Sequence, residues 1–283
     1  MNRLLITGDT HGEFTRLNTK TLSITQQVRD LGQLDRGDYL IICGDFGGLW
    51  DGGKSDDYWL KWLNDQPYTT LFVDGNHENY TLLNSIKTVD WHGGQAQFIR
   101  DNIIHLQRGN IYDICNKRVF TFGGAESHDI SDGVICACDK VLYNGRYIKR
   151  IDLLQKSSKS TMPEFSRSFK KRTVYTRKAP SNLRELNKTW WIEEMPTLEQ
   201  LVTAESNLNN CNRQVDLIIT HCAPSGIEIE VTGTDTFVNY LTNYFSYLLK
   251  SVNYKHWYCG HYHTDLDISN NVSLLYKGIK IIE

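Results

Sequence analysis

Residues 3–12, RLLITGDTHG, form a short apolar run that leads directly into a glycine, an aspartate and a histidine. Similar apolar runs end at glycine, aspartate, asparagine or histidine in YLIICGD (39–45), TLFVDGNH (70–77), DLIITH (216–221) and HWYCGHYH (256–263). Apolar runs of four or five residues without alternation are typical of strands that are buried on both faces of a sheet. The pattern therefore predicts a buried sheet with polar side chains at its strand ends.

Helical patterns separate these apolar runs. The segment PTLEQLVTAESNL (196–208) starts with Thr197 as the expected N-cap and has Gln200 three residues later, which predicts a capping box. The segment SDDYWLKWLND (55–65) is expected to bury one helical face, made of Tyr58, Trp59, Trp62 and Leu63. In TDTFVNYLTNYFSYLLK (234–250), the expected buried stripe consists of Phe237, Tyr240, Leu241, Tyr244, Phe245, Leu248 and Leu249.

The alternation of strands and helices predicts an α/β layered fold. Open sheets of this class place their sites at the carboxyl ends of the strands. The polar residues at the predicted strand ends run from Asp9 to His263. We therefore expect residues 1–283 to form a single catalytic domain around one site.

The composition is that of an ordinary globular protein. The chain has 283 residues, of which 40% are hydrophobic and 23% charged, and its formal net charge is −2. These values do not point to nucleic acid or a membrane surface as an obligatory partner, and no apolar run approaches the ~20 residues of a spanning helix. Because the N-terminus enters a predicted strand at once, we expect no cleavable signal. Seven cysteines, an odd number, favour reduced thiols and a cytoplasmic location.

One stretch differs in charge from the rest of the chain. Residues 140–188 contain fourteen Lys and Arg against three acidic residues, a net of +11, so the remainder carries −13. The stretch has little apolar periodicity, which predicts a basic insertion or lid at about 133–188. A solvated basic surface is the alternative interpretation.

The polar residues at the strand ends include a set of metal-binding groups. Four imidazoles, two carboxylates and one amide make seven candidate ligands: Asp9, His11, Asp45, Asn76, His221, His261 and His263. Seven ligands exceed the need of one tetrahedral zinc and suit two metal ions that share a bridging carboxylate. Mixed nitrogen and oxygen ligands without thiolate favour Mn, Fe, Zn, Co or Ni over Ca or Mg. Two divalent ions, two aspartates and a hydroxide leave a net charge of about +1, which attracts an anion.

Two of these ligands, His261 and His263, lie one residue apart after Gly260. Residues two apart on an extended strand point to the same side. Glycine lets the backbone turn at low steric cost. We therefore expect both imidazoles to converge at the end of a strand.

These motifs carry a family resemblance. GDTHG (8–12), GD (44–45), GNHE (75–78), THCAP (220–224) and GHYH (260–263) resemble, in the same order, the calcineurin-like metallophosphoesterases. FGGAES and WWIEEMP further resemble a bacterial and phage branch of that superfamily. The resemblance covers most of the chain outside the basic segment. It implies a four-layer αββα sandwich around a dinuclear metal centre.

The resemblance also implies a role for each site residue. One metal ion would be held by Asp9, His11 and His263, and the other by Asn76, His221 and His261. Asp45 would bridge the two ions, so His261 and His263 would each serve a different metal. His77 would lie beside the substrate as a catalytic and substrate-binding residue, stabilising the transition state or protonating the leaving oxygen.

The chain departs from the pattern of the related protein Ser/Thr phosphatases. Those enzymes show GDxxDR, with the arginine on phosphate, where this chain has GDFGGLW (44–50). GNHENY (75–80) also lacks the arginine that such enzymes often carry shortly after this motif. Phosphate recognition is therefore expected from the metals, from His77 or from basic groups, with Arg108, Arg146 and the basic segment as candidates.

The leading hypothesis is a dinuclear metal-dependent hydrolase that cleaves a phosphomonoester or phosphodiester through a metal-bound hydroxide. Its cofactors would be two divalent transition-metal ions. Mn is the first candidate, and Fe, Zn, Ni or Co are the alternatives. A nuclease is the first alternative, because the basic segment could track a nucleic acid backbone. A protein Ser/Thr phosphatase and a non-catalytic scaffold rank lower, the scaffold because all seven ligand positions are filled. No membrane or obligatory protein partner is expected.

Overall fold

The computed structural model describes residues 2–18, 33–130, 134–136, 140–143, 146–149, 184–235, 238–268 and 271–282. The chain divides into two compact units, Met1–Glu126 with Glu193–Glu283, and Ser127–Ile192. The first unit contains every candidate metal ligand.

Seven of the described strands form the first sheet: β1 (Leu4–Thr7), β2 (Tyr39–Ile42), β3 (Thr69–Phe72), β4 (Thr88–Trp91), β5 (Gly94–Arg100), β6 (Ile103–Leu106) and β17 (Ile279–Ile282). Their order in the sheet is β17-β1-β2-β3-β6-β5-β4. The pairs β1–β2, β2–β3 and β3–β6 are parallel. The carboxyl ends of β1, β2 and β3 therefore meet at one edge of this sheet.

Six further strands in the described ranges form the second sheet: β7 (Asn110–Ile114), β8 (Lys117–Phe122), β13 (Leu217–Thr220), β14 (His256–Cys259), β15 (Leu266–Ile268) and β16 (Val272–Leu274). Their order in the sheet is β15-β16-β14-β13-β8-β7. β13 pairs in parallel with both β8 and β14. The apolar runs predicted as strands are therefore strands, and β1, β3 and β13 are buried at every residue.

The two sheets pack face to face over a common core. Leu4 and Ile41 of the first sheet lie in one buried cluster with Val119, Leu217 and Ile219 of the second. Side chains alternate between the two faces of a strand, so the neighbours of these residues point away from the shared core. Those outward-facing positions form two further clusters, each covered by helices.

Helices complete the two outer layers. The α-helices in the described ranges are α1 (Lys54–Asn64), α2 (Tyr80–Leu83), α3 (Leu198–Asn210), α4 (Ser225–Thr232) and α5 (Tyr240–Ser251), with 3-10 turns at Thr15–Leu17 and Ile192–Glu194. α1 and α2 bury Leu60, Leu63 and Leu83 against the first sheet. α3, α4 and α5 cover the second sheet, where Leu208 and Phe245 are fully buried. The layers are therefore α, β, β and α, and the predicted four-layer fold is confirmed.

The predicted buried faces of the helices are confirmed in part. Thr197 caps α3 in a complete capping box with Gln200, as predicted. The predicted face of α1 is wrong at Tyr58, which is 63% exposed, because Leu60 occupies the buried position instead. The stripe of α5 buries Leu241, Phe245 and Leu248 but leaves Tyr240 half exposed, and Phe237 lies outside the described residues.

The second compact unit contains short pairings in its described part. β9 (Val134–Ile135) pairs in parallel with β12 (Arg184–Glu185), and β10 (Lys140–Tyr143) pairs antiparallel with β11 (Arg146–Lys149). Most of the predicted basic insertion lies outside the described residues, including 150–183. Across the described ranges, no helix is long and apolar enough to cross a membrane.

Candidate metal centre

All seven predicted ligands lie one to four residues after strands that are neighbours in their sheets. Asp9, Asp45 and Asn76 come two to four residues after β1, β2 and β3 of the first sheet. His221 follows β13 of the second sheet, and His261 and His263 follow β14. The parallel pairing places each set at one edge of its sheet, and face-to-face packing brings the two edges together.

The first group joins both sheets through Asp9, His11 and His263. His11 Nε2 lies 2.9 Å from His263 Nε2. Asp9 Oδ2 lies 3.3 Å from His263 Nε2 and 3.9 Å from His11 Nε2. Asp9 is 2% exposed, whereas the two imidazoles are partly open to solvent. Donor atoms of these three residues all lie within 4.8 Å of one another.

The second group surrounds the fully buried His221. His221 Nε2 lies 3.1 Å from Asn76 Oδ1, 3.3 Å from Asp45 Oδ1 and 3.2 Å from His261 Nδ1. Asp45 and Asn76 are also buried. Asp45 reaches both groups, because its Oδ2 lies 3.7 Å from His11 Nε2.

The backbone at four of these candidate ligands is in an unusual conformation. His11, Asp45, His261 and His263 have φ angles of 46°, 48°, 71° and 49°, in the left-handed region that non-glycine residues rarely adopt. Such strain persists where surrounding contacts over-determine it, and it clusters at functional sites. Here the backbone N–H of His261 donates to Asp9 Oδ1 at 2.9 Å, and that of His11 donates to the Asp45 carbonyl at 2.7 Å.

The predicted reason for the convergence of His261 and His263 is therefore wrong. β14 ends at Cys259, and both histidines lie in the loop that follows, each with positive φ. The loop aims His261 at His221 and His263 at His11, so the two imidazoles enter different groups. Gly260 is needed for close approach, since a Cβ there would lie 2.2 Å from Asp9 Oδ1.

Neighbouring charges and burial shift the pKa values of the groups in the site. Burial is the largest influence on Asp45 and opposes its ionisation, but His221, His77 and His11 outweigh it, so the pKa of Asp45 lies well below its ordinary value. Burial likewise opposes protonation of His221, but Asp45 and Asp9 raise its pKa to about 10. Burial lowers the pKa of His11, and the hydrogen bond to Asp9 raises that of His263. The buried carboxylates of Asp45 and Asp9 thus stabilise positive charge on the His221 ring.

The donor atoms fit a metal ion. His221 Nδ1 donates to the Cys43 carbonyl at 2.8 Å, so in the neutral ring Nε2 carries a lone pair. That lone pair faces the oxygens of Asn76 and Asp45, and acceptors face one another stably only around a proton or a cation. Imidazole, carboxylate and amide donors without thiolate suit transition-metal ions.

A family model described as calcineurin-like phosphoesterase matches residues 2–265. The chain belongs to the calcineurin-like phosphoesterases. The family acts on phosphoesters, and together with the Asp and His clusters its model supports a metal-dependent hydrolase. Among curated proteins, no match to the chain was found.

In this phosphoesterase, His77 lies beside the first group. Its backbone N–H donates to Asp45 Oδ1 at 2.8 Å, and its ring centroid lies 5.5 Å from that of His11. The ring is half-buried and lines a cavity of about 440 Å³ together with His11. His77 therefore touches open space next to the candidate ligands.

Two residues that the sequence patterns did not single out, Arg16 and Glu78, hold the loops of the site in place. Arg16 donates to the carbonyl oxygens of Gly8 and Asp9 at 2.9 Å, which fixes the loop after β1. Glu78 is fully buried, and its Oε1 accepts from the Phe46 N–H at 2.7 Å, which fixes the loop after β2. The position of Glu78 within GNHE was the available signal, whereas Arg16 had none.

The guanidinium of Arg108, a candidate for phosphate recognition from the sequence, binds other groups of the protein. Arg108 is 6% exposed and forms a buried ion pair with Asp74. Its guanidinium also donates to Tyr80 Oη and to the Glu193 carbonyl, both at 2.8 Å. The side chain of Arg146 lies outside the described part of the chain.

Proposed function

We propose that the protein is a dinuclear metal-dependent hydrolase of phosphomonoesters or phosphodiesters. Asp9, His11 and His263 would hold one ion, Asn76, His221 and His261 the other, and Asp45 would bridge them. Two divalent ions bound there would supply Lewis-acid stabilisation of charge at phosphorus and a water that is nucleophilic at neutral pH. Mn²⁺ is the first candidate, with Fe, Zn, Ni or Co as alternatives.

The placement of the Asp45 carboxylate carries this proposal. One of its oxygens lies 3.3 Å from His221 Nε2 and the other 3.7 Å from His11 Nε2, so each oxygen faces a different group. Asp9 also lies near His221, but its closest approach there, 3.8 Å, is to Nδ1. That nitrogen already donates to the Cys43 carbonyl, which supports Asp45 and not Asp9 as the bridge.

His77 is the residue proposed to act on the substrate. Its backbone N–H binds Asp45, which fixes the main chain, while its ring borders the cavity. An imidazole in that position can donate a hydrogen bond to a phosphoryl oxygen or a proton to the leaving oxygen. Both roles place it outside the ligand set.

The test is metal content measured together with hydrolysis of aryl phosphate and bis-aryl phosphate. We expect two bound ions per chain at saturation, measured by mass spectrometry of metals, and turnover that chelation abolishes. Asp45→Asn should lower occupancy and rate together, whereas Asp113→Asn should change neither, because Asp113 is exposed on β7. Full turnover in protein shown to be metal-free, or one ion at saturation, would contradict the dinuclear proposal.

A further inference from the structure

The cavity beside His11 and His77 extends from the candidate metal centre towards the N-terminus of α1. Its volume of about 440 Å³ falls within the ~300–1,000 Å³ typical of small-molecule sites. His11 and His77 form one part of the wall, and the rest includes Trp50, Asp51, Asp56 and Trp59. The cavity is therefore large enough to hold the part of a substrate that leaves with the ester oxygen.

Aromatic side chains form one side of this cavity. Trp59 packs edge-on against Trp62 at 5.7 Å and against the fully buried Phe14 at 6.1 Å, so its ring is held in place. Trp50, in the loop before α1, is 38% exposed and also lines the cavity. Indole rings favour stacking with flat aromatic groups and attract cations to their faces.

Carboxylates form another side, and the loop that carries them is well anchored. Asp56 Oδ2 accepts hydrogen bonds from the backbone N–H groups of Trp50, Asp51 and Gly52 at 2.6, 2.9 and 2.8 Å. Asp51 Oδ1 accepts from Gly53 N–H at 2.7 Å, directly before α1. Two negative charges thus lie in fixed positions in the cavity wall, and none of its described lining residues is Lys or Arg.

We propose that this cavity binds the leaving group of the substrate and selects a planar aromatic group that carries hydrogen-bond donors or a positive charge. The inference rests on the proposed phosphoesterase function. The phosphate would lie at the candidate metal centre, and the aromatic group would lie between the indoles and Asp51. A leaving group with negative charge would be repelled by Asp51 and Asp56.

Charge selection is tested with a pair of phenyl phosphates, one with a para-trimethylammonium group and one with a para-carboxylate. The ratio of their kcat/KM values is measured in the parent and in Asp51→Asn. The two esters differ in intrinsic reactivity, but that difference is the same for both proteins and cancels when their ratios are compared. Asn retains an oxygen that accepts from Gly53 N–H, so the loop is expected to keep its fold.

We expect the preference for the cationic ester to fall roughly fivefold or more in Asp51→Asn, as expected for removal of one nearby charge. The matched control is Asp57→Asn, which removes the same charge from α1 at an exposed position paired with Arg100, outside the cavity lining. It should leave the ratio unchanged. An unchanged ratio in Asp51→Asn would overturn the proposal.

The aromatic preference is tested with phenyl phosphate against cyclohexyl phosphate. Trp50→Leu should reduce the preference for the aromatic ester relative to the parent severalfold, whereas Tyr247→Leu should not, because Tyr247 is exposed on α5 and does not line the cavity. If the parent and Trp50→Leu showed the same preference for phenyl over cyclohexyl phosphate, the proposed role of the Trp50 indole would be wrong.

A binding measurement separates this inference from the proposed function. Calorimetry with 4-hydroxyphenyl-trimethylammonium needs no hydrolysis, and we expect the parent to bind it more tightly than Asp51→Asn does. Failure of the parent to hydrolyse any ester with metal present, but with this binding intact, would contradict the phosphoesterase function and leave the cavity preference standing. If the parent hydrolysed esters but Asp51→Asn changed neither the kcat/KM ratio nor the binding of the cation, the cavity preference would be contradicted.

Discussion

The substitution Glu228→Gln should make the protein markedly more stable at alkaline pH and hardly more stable at acid pH. Glu228 lies in α4 and is 1% exposed, and its Oε2 has no hydrogen-bond partner within the described structure. Burial, with a smaller contribution from Glu126, raises the pKa of Glu228 to about 7. The ionised carboxylate is therefore disfavoured in the folded state relative to the unfolded chain.

The sign of the pH dependence follows from this direction. A raised folded-state pKa means that the folded protein binds the proton more tightly, so stability falls as pH rises from the ordinary value of 4.5 to about 7. Each pH unit in that window costs up to ~1.4 kcal/mol, and the whole loss is on the order of 3 kcal/mol above it. Protonated Glu and Gln share nearly the same cost of burial, so the variant avoids only the loss due to ionisation.

The assay is urea unfolding of the parent and the variant at pH 5 and pH 8, with chelator present throughout so that bound metal does not change the apparent stability. The stability difference between the two proteins should grow by about 2–3 kcal/mol between these pH values. Glu230→Gln, an exposed position on the same helix, should give no such growth. A difference that is equal at both pH values would refute the reasoning.

Three further predictions concern other parts of the molecule. His77→Ala should keep both metals and lower turnover by ~10²–10⁴-fold, checked by metal analysis and steady-state rates, and loss of metal would contradict its assigned role. Thr197→Ala removes the capping box of α3 and should lower the free energy of unfolding by about 0.5–2 kcal/mol, whereas Thr197→Ser should restore most of it. Arg108→Met leaves the buried Asp74 without its ion-pair partner and should cost ~3–5 kcal/mol in urea unfolding, and a neutral effect would show that Asp74 finds other partners.

Local patterns were sufficient to predict the strands and the layered fold. The run LLIT at Leu4–Thr7 is apolar at nearly every position because its strand is covered on both faces, and burial of that kind is visible in the sequence itself. The capping box of α3 was also predictable, because it depends on a contact between Thr197 and Gln200, which are only three residues apart. The buried face of α1 was harder to predict, because the way in which the helix docks decides which of its sides meets the sheet.

The sequence also showed that each candidate ligand follows an apolar strand. Because parallel strands bring their carboxyl ends to one edge of a sheet, these residues could be expected to lie near one another. Only the tertiary structure decided how those side chains meet. His11 and His263 are 252 residues apart, and they approach within 2.9 Å because two different sheets pack face to face. The left-handed backbone at His261 and His263 depends on such long-range contacts, including the hydrogen bond from His261 to Asp9, and no local pattern encodes it. The same holds for the cavity wall of Trp50, Asp51 and Trp59, since a loop and a helix must dock against the loops of the candidate ligands before these side chains share a space.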